Sequence, residues 1–150
     1  MQNFHKPGLA AVLLLVCLCA ACRKSEPAPD KRDWLVMADC WSLTGYETKD
    51  IVGGSWAAQT LDSCALDNCL DFRADGTAIF DEGSAKCVAD DPQSVSSAWL
   101  LLAGDATLQL SVPQIPTPRW SIEDLSEKKM VLVSNVPALL VAVRLTYEAK

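Results

Sequence analysis

The sequence predicts an all-β fold, namely an eight-stranded antiparallel up-and-down barrel, and three observations favour it. No long segment sustains the 3.6-residue hydrophobic period of a helix, whereas strand-length segments of alternating polarity recur along the chain. Turn pairs such as Asp75-Gly76 and Gly104-Asp105 separate these segments. A meander of this kind buries its inner face and loses its exposed edges by closing into a barrel. A two-sheet sandwich of the same strands is the alternative.

The strands follow one another along the chain from Trp41 onward. Trp41 and Leu43 share one face of the first strand, and Leu70 and Phe72 share one face of the second, so these side chains are expected to point inward. The predicted strands cover residues 40–47, 69–72, 77–81, 97–104, 106–112, 119–125, 130–134 and 139–148. The last strand is expected to direct every second apolar side chain inward: Leu139, Val141, Val143, Leu145 and Tyr147. Two segments are predicted as connections, a loop with a short helix and a proline-rich loop, at residues 49–63 and 113–118.

A targeting segment precedes this domain. Residues 1–21 combine a basic residue with an apolar stretch shorter than the roughly 20 residues of a membrane-spanning helix, which predicts a signal peptide. Residues 18–22, LCAAC, resemble the lipobox of bacterial lipoproteins, and the resemblance implies lipidation of Cys22. Residues 22–33 are polar and contain two prolines, so a flexible tether is expected before the barrel domain at residues 34–150.

The resemblance to lipoproteins also implies a location. No Asp directly follows Cys22, and in those proteins this argues against retention at the inner membrane. The expectation is therefore an outer membrane lipoprotein, on the periplasmic side or the cell surface, which is bound to the membrane through its N-terminal lipid.

The charge and histidine content of the domain argue against two classes of function. Residues 33–150 hold eight basic and 17 acidic side chains, a net charge of −9, whereas nucleic-acid binding requires a basic face. The single histidine, His5, lies in the signal peptide, so the domain lacks the usual neutral-pH general base. Adjacent carboxylates in a strand point to opposite faces and do not converge as a catalytic pair does. These pairs are Asp81/Glu82, Asp90/Asp91 and Glu123/Asp124, and no enzymatic activity is expected.

A metal site is the most specific alternative to a β-hairpin for the segment between Asp71 and Glu82. Counted from Asp71, this segment places Asp75, Gly76 and Glu82 at the fifth, sixth and twelfth positions of a calcium loop. Arg73 occupies the third position, where a ligand oxygen is needed, and the flanks alternate as strands rather than helices. A structural zinc site needs four ligands, usually Cys and His, and the only histidine, His5, lies in the signal peptide. A thioredoxin-type redox site needs Cys-x-x-Cys, and the spacing here is longer. No metal or cofactor is expected.

Four cysteines remain in the domain once the signal peptide and Cys22 are set aside. An even number in an exported domain favours disulfides. Cys40 and Cys69 both face outward on neighbouring strands, so they can lie opposite each other at disulfide distance. Cys64 and Cys87 then flank a hairpin whose open ends they can join. The competing arrangement pairs Cys64 with Cys69 and leaves Cys40 with Cys87.

The order of several short motifs resembles the lipocalin-like domain of bacterial lipoproteins. The resemblance covers most of residues 38–148 and depends on this series: Trp41-Ser-Leu, Cys64, Asp67, Phe72, Asp75-Gly76-Thr77, Asp81-Glu82-Gly83, Lys86-Cys87, Trp99 and Leu101. It implies an eight-stranded calyx, often with a small apolar ligand, and it supports the Cys64–Cys87 pairing. Asp39 stands where true lipocalins have glycine. The resemblance supplies no catalytic residue.

Aromatic side chains are the candidates for ligand contact. The residues singled out are Trp41, Phe72, Phe80, Trp99, Trp120 and Tyr147. They either line a cavity or fill the interior of a small barrel. The first outcome predicts a lipid-anchored binding module for a small hydrophobic molecule. The second predicts a structural or interaction lipoprotein that acts through its rim loops.

Overall fold

A closed antiparallel barrel forms the centre of the protein. The structure is a computed structural model, and it describes residues 28–111 and 119–150. The described elements are α1 (Lys31–Met37), β1 (Trp41–Asp50), β2 (Ala57–Ala58), β3 (Cys69–Phe72), β4 (Thr77–Asp81), β5 (Ser94–Leu102), β6 (Thr107–Leu110), β7 (Arg119–Leu125), β8 (Lys129–Val136) and β9 (Val141–Ala149). Two 3-10 helices, Ser63–Ala65 and Pro137–Leu139, lie in connections. The predicted signal peptide, Cys22 and the proline-rich loop lie outside the described residues.

The strand order follows the chain, as in a meander. Each of β3 to β8 pairs with the next strand, and β9 returns to pair with β1 from Trp41–Ala149 to Asp50–Val141. β2 is an additional two-residue strand on β1. The prediction of an eight-stranded up-and-down barrel is therefore confirmed, and the sandwich alternative is not adopted. Closure leaves one thin seam, because β1 and β3 share a single residue pair, Trp41–Leu70.

The alternation of side chains divides the barrel into an inner and an outer face. The inward positions form one continuous cluster, whose largest fully buried members are Trp41, Trp120, Phe72, Leu70, Leu108, Leu110, Met130 and Leu132. Outward positions of the same strands carry charged pairs such as Arg144 with Glu47 at 3.3 Å and with Glu123 at 3.0 Å. Since a one-residue slip would exchange these two faces, burial of the apolar face holds the register of the strands.

The helix α1 closes one end of the barrel. Asp30 accepts a hydrogen bond from the Asp33 backbone, and the Asp33 side chain accepts one from the Asp30 backbone, which completes a capping box. Leu35 is fully buried, and its carbonyl oxygen accepts a hydrogen bond of 3.0 Å from the indole nitrogen of Trp41. Among the described residues, no helix is long and apolar enough to cross a membrane.

Two basic side chains of α1 fasten it to the turns of this end. Lys31 donates to the carbonyl oxygen of Asp105 at 2.8 Å, and Arg32 donates to that of Ala74 at 2.8 Å. The Arg32 guanidinium also lies 4.8 Å from the centre of the Trp99 ring. We call this the closed end. It holds the start of β1, the end of β9 and the turns at residues 73–76, 103–106 and 126–128. The opposite end, with the connections at 51–56, 82–93 and 137–140, is the open end.

Several sequence predictions need correction at the ends of elements. The predicted tether overlaps α1 at Lys31 to Asp33, where the capping box starts a helix instead of an extended spacer. Residues 49–63 contain the end of β1, the short β2 and the start of a three-residue 3-10 helix. Leu139 is exposed in a 3-10 helix and does not face inward, because Leu140 takes a left-handed conformation that delays β9 until Val141.

Both cysteine pairs come to disulfide distance. Cys40 is joined to Cys69 with their Cα atoms 5.3 Å apart, and Cys64 to Cys87 with their Cα atoms 5.2 Å apart. The pairing predicted from the outward positions is confirmed, and the alternative with Cys64–Cys69 is not adopted. Cys40–Cys69 lies at the seam where β1 and β3 share one residue pair, so a covalent bond reinforces the thinnest part of the wall.

Candidate functional site

A pocket of about 640 Å³ opens at the end of the barrel opposite α1. Its size is typical of small-molecule sites, which enclose roughly 300–1,000 Å³. The lining residues are Leu43, Tyr46, Asp62, Ala65, Asn68, Cys69, Leu70, Phe80, Asp81, Glu82, Cys87, Val88, Asp91, Pro92, Val95 and Leu145. A smaller hollow of about 320 Å³ lies among mostly polar residues of β6, β7 and β8.

The pocket exists because the wall of the barrel is uneven. β3 and β4 have four and five residues, whereas β1 has ten and β9 has nine. Beyond Trp41, β1 has no partner on β3, so the interior is open on this side. Two connections, residues 59–68 and 82–93, cover the side of the barrel with the short strands β3 and β4, and they form the outer wall of the pocket.

Two rows of apolar side chains form the inner wall. On one side, Tyr46 of β1 is paired with Leu145 of β9, and Leu43 lies beside them. On the other side, Phe80 of β4 is paired with Leu70 of β3 and also with Val95 of β5. Leu43, Tyr46 and Phe80 remain only partly buried although they point into the barrel, so apolar surface is available to a ligand.

The rim of the pocket is acidic. Four carboxylates line it, Asp62, Asp81, Glu82 and Asp91, and no Lys, Arg or His is among the lining residues. Asp81 accepts hydrogen bonds from the backbone of Gly83 at 2.8 Å and from Gln93 at 3.1 Å. Glu82 accepts one from the backbone of Cys87 at 3.2 Å.

Asp62 and Asp91 keep their carboxylates available. Neither side chain has a hydrogen-bond or ion-pair partner within residues 28–111 and 119–150. Lys86 is the basic side chain of the neighbouring loop, and its ammonium group donates to the backbone carbonyl oxygens of Asp91 and Ala89. It therefore holds the loop together and leaves the Asp91 carboxylate unpaired.

A further carboxylate outside the lining set, that of Asp67, joins the two connections that cover the pocket. One of its oxygens accepts hydrogen bonds from the Ser84 hydroxyl at 2.7 Å, the Ser84 backbone at 2.8 Å and the Ala85 backbone at 3.1 Å. The side-chain hydrogen bond from Ser84, followed by the backbone bonds, holds the pKa of Asp67 below its ordinary value. Together with the nearby Cys64–Cys87 bond, this contact makes the outer wall a fixed structure.

The six aromatic residues proposed from the sequence separate into two groups. Phe80 lines the pocket. The other five are buried in the core: Trp41, Phe72, Trp99, Trp120 and Tyr147. Phe72 and Trp99 pack edge to face with ring centres 5.3 Å apart, and the indole nitrogen of Trp99 donates to the Arg73 carbonyl at 3.0 Å. Burial raises the pKa of the Tyr147 hydroxyl.

Tyr46, Val95 and Leu145 line the pocket but were not among the ligand contacts predicted from the sequence. Tyr46 follows an irregularity between Leu43 and Gly45 that shifts the alternation of β1 and turns Tyr46 inward, whereas a strict period of two places it on the outer face. Val95 lies before the predicted start of its strand. Leu145 was predicted to face inward but was not proposed as a ligand contact. The position of Tyr46 carried no local signal, because the shift is a property of the β1–β9 pairing.

The segment considered as a calcium loop forms a hairpin. Asp75 accepts a hydrogen bond from the Thr77 backbone at 2.8 Å, and this bond, with the Thr77 side chain, lowers the pKa of Asp75. Within the described part of the chain, no three His, Cys, Asp or Glu side chains converge on a point that could hold a metal ion. Of the adjacent carboxylates, Glu123 pairs with Arg144 and Asp124 with Lys129 at 3.5 Å.

Comparisons of the chain with protein-family models, with curated proteins and with solved structures find no match. Function is therefore inferred from the geometry and chemistry of the pocket.

Proposed function

We propose that this protein is a lipid-anchored, lipocalin-like binding module outside the cytoplasm, and that it holds a small hydrophobic molecule in the open end of its barrel. The observation that carries the proposal is the pocket of about 640 Å³ with two facing rows of apolar side chains. Burial of apolar surface is the main favourable term for such a ligand, at roughly 25 cal/mol per Å².

The uneven burial of the inward side chains supports this proposal. Trp41 and Trp99, which contact α1, are buried, whereas Leu43, Tyr46 and Phe80 of the pocket remain partly exposed. The links Cys64–Cys87 and Asp67–Ser84 join the two connections of the outer wall and so reduce the ordering cost of ligand binding.

The direction of the chain supports an anchor at the closed end. Residues 28–30 lead directly into α1, which closes that end of the barrel. A lipid on Cys22 would therefore attach the closed end to the membrane and leave the pocket facing away from it. Two disulfide pairs fit the oxidising compartment of an outer membrane lipoprotein.

In this proposal the pocket binds its ligand and does not catalyse a reaction. No histidine occurs after His5, and the residues that line the pocket include no Lys, Arg, Ser or Thr, while both of the lining cysteines are in disulfides. Ligand recognition needs only shape and apolar contact, which this pocket offers.

Nile red, a neutral fluorescent probe of apolar sites, tests the proposal with a matched pair of variants. Val95 and Leu100 lie on β5 with similar exposure, 42% and 40%, but Val95 lines the pocket and Leu100 faces outward. Titration of the full-length chain is expected to saturate. Val95→Trp should weaken Nile red binding by about tenfold or more because the indole occupies the pocket, and Leu100→Trp should leave binding unchanged.

Two results would contradict the proposal. The first is an unsaturable response, and the second is an equal effect of the two variants. An unsaturable response would favour the alternative of an interaction protein. Its surface would then be the exposed apolar residues of the open end, Ile51, Val52, Leu139 and Leu140.

A further inference from the structure

We propose that the preferred ligand of this pocket is a cationic amphiphile, a molecule with an apolar body and a positively charged amine or quaternary ammonium head. This inference rests on the proposed function and specifies its ligand class. Two features of the pocket lead to it: apolar rows on the inner wall and carboxylates from both connections of the outer wall.

The carboxylates come from both of the connections that form the outer wall. Asp62 comes from the connection at residues 59–68, whereas Asp81, Glu82 and Asp91 come from the end of β4 and the loop after it. A cationic head at the mouth would be within the field of both groups, while the tail contacts Phe80 and the residues around it.

The surrounding charges do not neutralise this rim. Residues 59–68 and 81–93 contain six acids and one base, Lys86, so they carry a net charge of −5. The Lys86 ammonium group donates to backbone carbonyl oxygens and not to a carboxylate. Six of the ten basic residues in the described part of the chain lie at the closed end, on the far side of the barrel: Lys31, Arg32, Arg73, Lys128, Lys129 and Lys150.

The same charges disfavour an anionic amphiphile such as a fatty acid. A carboxylate head at this mouth would meet four carboxylates and no basic lining residue. Like charges at a partly desolvated mouth repel more strongly than they do in bulk water, because the effective dielectric constant there is lower. The rim therefore selects the charge of the ligand, and the apolar rows supply its affinity.

Three probes with one tail separate these contributions: decyltrimethylammonium, decanol and decanoate. Each is titrated against the full-length chain loaded with Nile red, below its micelle concentration and at low ionic strength. Decyltrimethylammonium is expected to displace Nile red at about tenfold lower concentration than decanoate, with decanol between them. The difference should shrink as salt is added, because screening shortens the range of the rim charges.

Two double variants with the same change in net charge test whether the preference for a cationic head comes from the rim carboxylates. Asp62→Asn with Asp91→Asn removes the two rim carboxylates that have no partner in the described structure. Asp39→Asn with Asp105→Asn removes two exposed acids near the closed end. The rim variant should lose most of the preference for decyltrimethylammonium and still bind Nile red, whereas the distant variant should keep the preference.

The outcomes distinguish this inference from the proposed function. Decanoate that binds as tightly as decyltrimethylammonium, or equal effects of the two double variants, would overturn the ligand class and leave the hydrophobic pocket in place. Failure of Nile red to bind the unmodified chain would overturn both.

Discussion

Gly83 and Asp67 are in close contact where the loop after β4 crosses the connection before β3. Gly83 adopts φ +64°, and a Cβ at this position would lie 2.6 Å from the Asp67 carbonyl oxygen and 2.7 Å from its carboxyl carbon. These distances are shorter than any van der Waals contact, so a side chain would displace the backbone. A glycine is required here because of its backbone conformation and because it has no side chain. Its close contact with Asp67 brings the two connections of the outer wall together.

Gly83→Ala is expected to be more destabilising than Gly104→Ala. Gly104 has nearly the same conformation, φ +62°, but a Cβ there meets nothing within 4 Å. Both variants carry the cost of a left-handed alanine, so their difference reports the clash with Asp67. We expect Gly83→Ala to lower the free energy of unfolding by about 1–3 kcal/mol more than Gly104→Ala does, measured by urea denaturation. Equal losses would show that the loop relaxes freely around the new side chain.

The helix α1 shows how an element outside the barrel completes it. Its capping box stabilises a first turn that seven residues alone would barely sustain in water. Most of its stability therefore comes from tertiary contact, through Leu35 in the core and the bonds of Lys31 and Arg32 to hairpin turns. The helix closes the end at which Trp41 and Trp99 contact it.

Leu35→Ala is expected to lower the free energy of unfolding by about 2–4 kcal/mol, because it leaves a cavity at a fully buried site. Met37→Ala provides the control, since Met37 is in the same helix but is 59% exposed, and it should cost about 0.5 kcal/mol or less. Denaturant unfolding followed by tryptophan fluorescence measures both. A cost for Leu35→Ala no larger than that for Met37→Ala would mean that α1 does not close the barrel in solution.

The whole molecule is a closed barrel with opposite properties at its two ends. One end is filled and capped by α1, and the other is open, acidic at the pocket and lined with apolar side chains. Closure depends on the long β1–β9 pairing, while the weak β1–β3 seam depends on the Cys40–Cys69 bond. Cys40–Cys69 therefore reinforces the seam of the barrel, whereas Cys64–Cys87 joins the two connections of the outer wall of the pocket.

Removal of either disulfide is expected to lower stability by about 2–4 kcal/mol. The variants are Cys40→Ser with Cys69→Ser and Cys64→Ser with Cys87→Ser, and each serves as the control for the other in guanidinium unfolding. Loss of Cys64–Cys87 should also raise the Nile red dissociation constant more than loss of Cys40–Cys69 does, because Cys64–Cys87 joins the two connections of the outer wall. Unchanged midpoints in both variants, or a free thiol at any of these four cysteines in the unmodified chain, would contradict the pairing.

Local pattern was sufficient for most of the barrel. The bounds of β3, β4 and β7 match the predicted segments, and the outward positions of Cys40 and Cys69 predicted their pairing. These features depend on alternation and turn chemistry within short segments. The helix α1 was missed even though Asp30 and Asp33 form a recognisable capping pattern, because the polar residues around it resemble a spacer.

The sequence by itself determined the fold class and the inward residues of the first two strands, and it favoured the observed cysteine pairs over the alternative, since each follows from side-chain period or from the neighbour relations of a meander. Only the tertiary structure decided where the barrel is filled and where it is open. That division depends on the unequal lengths of β1 and β3 and on the shifted alternation before Tyr46. Phe80 and Phe72 share one pattern in sequence, yet only Phe80 reaches the pocket, because its position relative to distant strands is set by barrel closure.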